Sequence, residues 1–298
     1  RGHRGFSRRP GIYTAGSMSV ATSPAPHVGD VLPDGPPRRS RWLVEVIVVV
    51  WLCWIYDAVN NLAPIRQGQA VAHARSIYHL ERVLHLDPEL GLDHWLAGHH
   101  TLALWVSDYY DNAHFAVTFA LIGWLWWRRP DLYRPLRNSL VLINVIGFIV
   151  FWLYPLAPPR LLPGSRFIDV VSMSHALGST HSGALADSAN ELAAMPSLHL
   201  AWAAWCGLVV WRVLRSRGFT RWAWLAWLYP AATTMAVLTT GNHFVADLVG
   251  GVVTMVLATL VADRLAVRTG ANRANRRWLP STTGLPRAPA GARHHRRR

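Results

Sequence analysis

The sequence predicts an all-α integral membrane protein: a six-helix bundle with extra amphipathic helices at the interface. Three observations predict it. The chain is 51% hydrophobic and 15% charged, against roughly 25% charged in soluble proteins. Six apolar blocks occur between polar tails, each close to the ~20 residues that a bilayer core requires. The cationic residues are all arginine, and they cluster in the tails and in short loops between the blocks.

Residues 1–41 are rich in Arg, Pro, Gly and Ser and are expected to be a disordered tail. The membrane domain is expected over 42–267, with spans near 42–59, 112–127, 138–155, 198–214, 222–240 and 244–263. Residues 268–298 are again Arg-rich and read as a second solvated tail, near anionic lipid heads. The stretch 66–110 differs from the spans. Ala70, Ala74, Ile77, Leu80 and Leu84 recur at helical spacing, with Arg75, Glu81 and Arg82 between them, which predicts an amphipathic helix lying at the interface. A second, more apolar helix is expected over 92–109, interfacial or re-entrant.

Arginine placement sets the orientation. Arg128, Arg129, Arg134 and Arg137 fill one loop, and Arg212, Arg215, Arg217 and Arg221 another. Six spans put both loops and both tails in the cytoplasm. The opposite side then holds 60–111, where Glu81, Asp87, Glu89, Asp93, Asp108 and Asp111 outnumber three arginines. The Lys-free, Ala- and Arg-rich composition fits a GC-rich bacterial genome, hence a bacterial plasma membrane. A net charge of +14 is compatible with nucleic-acid binding, but no recognition fold is visible and the charge follows membrane topology, so no nucleic acid is expected. Cys53 and Cys206 lie inside apolar runs and read as small buried hydrophobes.

Two motifs fall on the extracytoplasmic side: Met195-Pro-Ser-Leu-His-Leu-Ala201 and Gly241-Asn-His-Phe-Val-Ala-Asp247. Titratable groups at the edge of a span point to function. Ser197 and Asn242 are expected as N-caps of the fourth and sixth spans. A helix start offers unpaired N–H groups to a phosphate. His243 and Asp247, at i and i+4, can share a face, so Asp247 can take the Nδ1 proton and leave Nε2 free to attack. Tyr110 and His114 lie at the outer end of the second span, candidates for a head-group or acceptor contact.

Pro196-Ser197-x-His199 and Gly241-x-His243-x3-Asp247-x2-Gly250 resemble two signatures of the type 2 phosphatidic acid phosphatase superfamily, six-span enzymes that use no metal. Ala157-Pro158-Pro159-Arg160 is similar to the inositol phosphorylceramide synthase-like branch. The resemblance implies a phosphohistidine on His243, oriented by Asp247. It makes His199 the group that protonates the leaving oxygen and then activates the acceptor. Ser197 and backbone N–H groups would hold phosphate oxygens, with Arg160 and Arg166 as cations. It implies a lipid phosphate or phospholipid substrate, water or an alcohol as acceptor, no metal and no cofactor. Two departures favour the synthase-like branch. The phosphatase branch has a Lys-containing first signature, and this chain has no Lys; Arg129-Pro130 mimics its end but falls on the cytoplasmic side. That branch also carries Arg six residues before the nucleophile, where this chain has Val237.

Blander readings stand beside these. The two histidines can be structural, and with Asp247 they offer a metal-compatible donor set. Arg160 can anchor at the interface. His94, His99 and His100 have loose metal-like spacing but read more readily as a polar interfacial face. His175 and His181 read as solvated. A transporter using the same histidines is the rival class, predicting charges at mid-membrane and inverted repeats; no clear repeat is visible.

Overall fold

A computed structural model describes residues 42–62, 66–176 and 192–277, and among them the chain is helical. The helices are α1 (Trp42–Leu62), α2 (Gln67–Val83), α3 (Glu89–Ala97), α4 (His100–Arg128), α5 (Pro130–Leu153), α6 (Val170–Ala176), α7 (Leu198–Ser216), α8 (Leu228–Thr239) and α9 (Val245–Arg277). The tail expected over 1–41 lies outside the described residues, as does His181. The helix α9 continues to Arg277, past the boundary expected at 267.

Helices α4, α5, α7 and α9 pack around Trp205, which is fully buried on α7 among Leu125, Leu136, Ile143, Val209 and Ala258. Its indole N–H donates to Leu136 O at 3.1 Å and Ser139 Oγ at 3.0 Å, so the ring's one polar atom is satisfied inside the core. Cys206 is buried beside it. Two helices, Pro130–Leu153 and Val245–Arg268, are long and apolar enough to cross a membrane. Their outer faces leave large apolar side chains exposed, including Ile149, Leu153, Val249, Val253, Leu257 and Leu260, the surface that a lipid phase would cover.

The region expected as one continuous fifth span is divided. Residues Thr220–Trp227 wind as a 3-10 helix before α8 begins. Pro230 has no N–H to return to Ala226, so the hydrogen-bond ladder of a continuous α-helix would lack a bond at this junction. The 92–109 helix is also redrawn. The chain breaks at Gly98–His99, and residues from His100 onward join the stretch expected as the second span in one 29-residue helix.

The expected apolar face of α2 needs correction. Leu80 and Leu84 are 51% and 55% exposed, whereas Ala70, Ala74 and Glu81 are buried. The inward stripe is therefore Ala70, Ala74, Ile77, Glu81, at steps of four, three and four. α3 repeats the pattern with Glu89, Asp93 and Leu96 buried. These helices turn carboxylates inward, α2 against the start of α9 and α3 against α8.

The two ends of the helices differ in chemistry. At one end Arg137 pairs with Glu45 at 3.2 Å, Arg129 reaches Ser216 Oγ at 3.4 Å, and Arg212 pairs with Asp263 at 2.6 Å. The starts of α7 and α9 lie at the other end, about 28 Å away along the 19 residues of α7.

Candidate active site

Three loops meet at that second end, knitted by backbone hydrogen bonds. Leu156 N–H donates to Leu192 O at 2.9 Å, and Ala194 N–H to Leu156 O at 3.1 Å. Arg160 N–H donates to Gly241 O at 3.0 Å, and Ser197 N–H to Asp247 O at 3.0 Å. The loops after α5, before α7 and before α9 thus form one floor.

Two glycines permit the closest approaches. A Cβ on Gly251 would lie 2.5 Å from Ser197 O, which no side chain tolerates without movement. Gly241 has φ +63°, in the left-handed region that glycine adopts freely, and a Cβ there would lie 3.1 Å from Asp93 Oδ1.

Ser197 caps α7 as expected: it is buried, and its Oγ accepts Leu200 N–H at 3.4 Å. His199 sits in the first turn of α7. The start of α9 differs from expectation, because Asn242 is not its cap. The helix begins at Val245, and Asn242 instead accepts Arg160 Nε–H at 2.9 Å and donates to Thr240 Oγ1 at 2.9 Å. Capping comes from inside the helix. Asp247 Oδ2 reaches back to accept Phe244 N–H at 2.9 Å, the carboxylate half of a capping box. The same oxygen faces His243 Nδ1 at 3.4 Å.

His243 is 4% exposed, and its Nε2 is buried without a hydrogen-bond partner. Its ring lies 5.8 Å from that of His199, nearly edge-on. Tyr110 stacks on His199 at 4.3 Å, and His114 meets the same ring at 4.3 Å. Val237 is fully buried with Leu200, Leu238 and Leu248, a setting that suits an aliphatic side chain.

Of the expected phosphate ligands, Ser197 and Arg160 reach this end. Arg160 is held twice, by Asn242 and by Asp169, whose Oδ2 accepts Nη1–H at 2.8 Å. Arg166 is exposed, and its carbonyl oxygen bonds His94 Nε2 at 2.6 Å. The structure brings together His199, His243, Asp247, Ser197, Arg160, Tyr110 and His114, with Arg166 on the exposed loop before α6.

Sequence reasoning missed Asp93, Asp169, Glu81, Glu89 and Gly251. Asp93 Oδ2 accepts Ile168 N–H at 2.8 Å and so ties α3 to the loop carrying Arg160. Burial pushes its carboxyl up to about 6. The readable signal was the i, i+4, i+7 placement of Glu89, Asp93 and Leu96 on one face.

The arrangement provides a buried nucleophilic nitrogen, a carboxylate behind it, a second imidazole beside it and a cation one residue away through Asn242. Such a set suits displacement at phosphorus. No curated protein and no solved structure matches the chain. The family model of the PAP2 superfamily matches residues 75–261, the stretch that contains every side chain of this cluster. On that match over more than half of its length, the chain belongs to the PAP2 superfamily.

Proposed function

We propose that the protein cleaves a lipid phosphoester through a phosphohistidine on His243. Membership in the superfamily supports phosphoester hydrolysis with a lipid phosphate as substrate, and with the two apolar helices it supports a membrane protein. The observation that carries the finer reading is His243 itself. Its Nδ1 faces Asp247, and its Nε2 is buried, unpartnered and beside His199.

In the first step the Nε2 lone pair attacks phosphorus. The P–N bond forms as the P–O bond to the lipid breaks, and the leaving oxygen takes a proton from His199. Asp247 stabilises the positive imidazole that results. In the second step His199 removes a proton from water or an alcohol. The acceptor oxygen attacks phosphorus, and the P–N bond breaks to restore His243. Ser197, nearby backbone N–H groups and Arg160 stabilise the phosphoryl oxygens. The Ala157-Pro-Pro-Arg160 turn, the absent Lys and Val237 favour the synthase-like branch, in which a phospho-head-group such as phosphoinositol passes to an alcohol.

Six spans complete this reading: α1, α4, α5, α7, the 3-10 stretch with α8, and α9. Both termini are then cytoplasmic and the site extracytoplasmic. The gathering of arginines at the end opposite the histidines supports that orientation.

The test uses purified protein with phosphatidate, a prenyl phosphate and phosphatidylinositol, in chelator, with and without an alcohol acceptor. Phosphorus-labelled substrate should leave a base-stable, acid-labile label on the wild type and none on His243→Ala. Loss of activity in chelator, or full turnover by His243→Ala, overturns the mechanism. Reporter fusions at 130–136 and 163–166 should fall on opposite sides of the membrane; both on one side would overturn the topology.

A further inference from the structure

Two carboxyl groups outside the proposed chemistry sit behind the nucleophile. Glu81 on α2 is 4% exposed, and Glu89 on α3 is fully buried. Glu81 Oε1 accepts the N–H of Ala246, in the first turn of α9, at 2.6 Å. Glu81 and Glu89 lie within side-chain hydrogen-bond reach of each other. As carboxylates they would have no donor between them, and Glu81 Oε2 and both Glu89 oxygens would be buried acceptors without a partner. Two such anions side by side in a buried space are costly. One proton placed between them removes one charge and supplies the missing donor.

We propose that Glu81 and Glu89 share a single proton, and that this acid–carboxylate pair positions the nucleophile by holding the Ala246 N–H at the start of α9. Ala246 lies between His243 and Asp247, so the pair fixes the turn in which both are set. Glu81 and Glu89 are thus positioning residues, and the assignment rests on reading His243 as the nucleophile.

The surroundings agree with a retained proton. The charged groups facing the pair are Asp87, from the turn between α2 and α3, and Asp247, from α9; both are acidic. Arg82 points outward to Asp87, at 4.0 Å with 65% of its side chain exposed. Burial, followed by the bond to Glu89, pushes Glu81 up to about 9, against the opposing pull of the Ala246 N–H. Burial also raises Glu89. A group raised in this way binds its proton more tightly folded than unfolded. Its contribution to stability is complete below the unfolded value and is lost as pH rises through about 9.

The test compares wild type, Glu89→Ala, Glu89→Gln and His243→Ala as full-length protein in detergent. Infrared spectroscopy at neutral pH should show a protonated carboxylic acid carbonyl in wild type and in His243→Ala. Glu89→Gln should lose it, because the amide N–H then donates to a Glu81 carboxylate. With short-chain phosphatidate as probe, Glu89→Ala should lower kcat by on the order of 10²-fold with little change in KM, the scale of a small misplacement. Glu89→Gln should restore most of kcat and remove the fall in melting temperature that wild type shows as pH rises from the unfolded carboxyl value toward about 9. Absence of the carbonyl band in wild type overturns the proposal, as does a Glu89→Gln variant that keeps the band or is as slow as Glu89→Ala. Should Glu89→Ala fail to fold, the band and the kcat of Glu89→Gln decide alone. Full turnover by His243→Ala with the band intact overturns the nucleophile assignment instead, leaving the shared proton standing.

Discussion

The turns that carry His199 and His243 lie side by side but are built in opposite ways. His199 belongs to a regular helix, capped from in front by Ser197 and flanked by Tyr110 and His114. His243 precedes its helix, in a loop held from behind by Asp247 and, through Ala246, by Glu81. The proposed proton handler, His199, thus sits in the first turn of a capped helix. The proposed nucleophile, His243, sits where bonds from several elements meet, with its Nε2 buried and without a partner.

The sharpest break in this comparison is Asp247→Asn. The amide can keep the Phe244 N–H bond but presents no charge to His243. It should lower kcat by about 10⁴-fold, the scale seen when a histidine's orienting carboxylate is neutralised, while the melting temperature shifts little. Next is Gly251→Ala, whose Cβ would meet Ser197 O at 2.5 Å. Forcing the two turns apart should cost about 1–3 kcal/mol, and kcat should fall even where the protein remains folded. Ser197→Ala removes the forward cap and, on the proposed mechanism, one contact to the phosphoryl oxygens. Denaturation should show a loss of about 0.5–2 kcal/mol, and turnover should suffer less than in Asp247→Asn. Arg212→Ala, at the opposite end, breaks a partly exposed pair with Asp263. It should change stability by about 0–1 kcal/mol and leave kcat unaltered; a large drop in kcat would mean that the two ends are coupled.

Much of the site was readable because its residues are close in sequence. Ser197 with His199, and His243 with Asp247, declare themselves within a helical turn or two. The Ala157–Arg160 turn could be named, but not its partners, since Asn242 and Asp169 meet Arg160 only through folding. The inward face of α2 was ambiguous for a different reason. After Ala70, Ala74 and Ile77, residues 80 and 81 fit a 3.6-residue period equally well, and hydrophobicity favours Leu80. Glu81 goes inward because a distant N–H, that of Ala246, receives it. Asn242 looked like a cap by residue type, but with Asp247 reaching back to Phe244 the cap was already supplied.

A single oxygen, Asp247 Oδ2, both closes the start of α9 and faces His243 Nδ1. On the proposed mechanism, folding and chemistry share one atom, so a change to one disturbs the other. For an engineer, this position then offers no gradual route, and the turn from Gly241 to Asp247 is inherited whole.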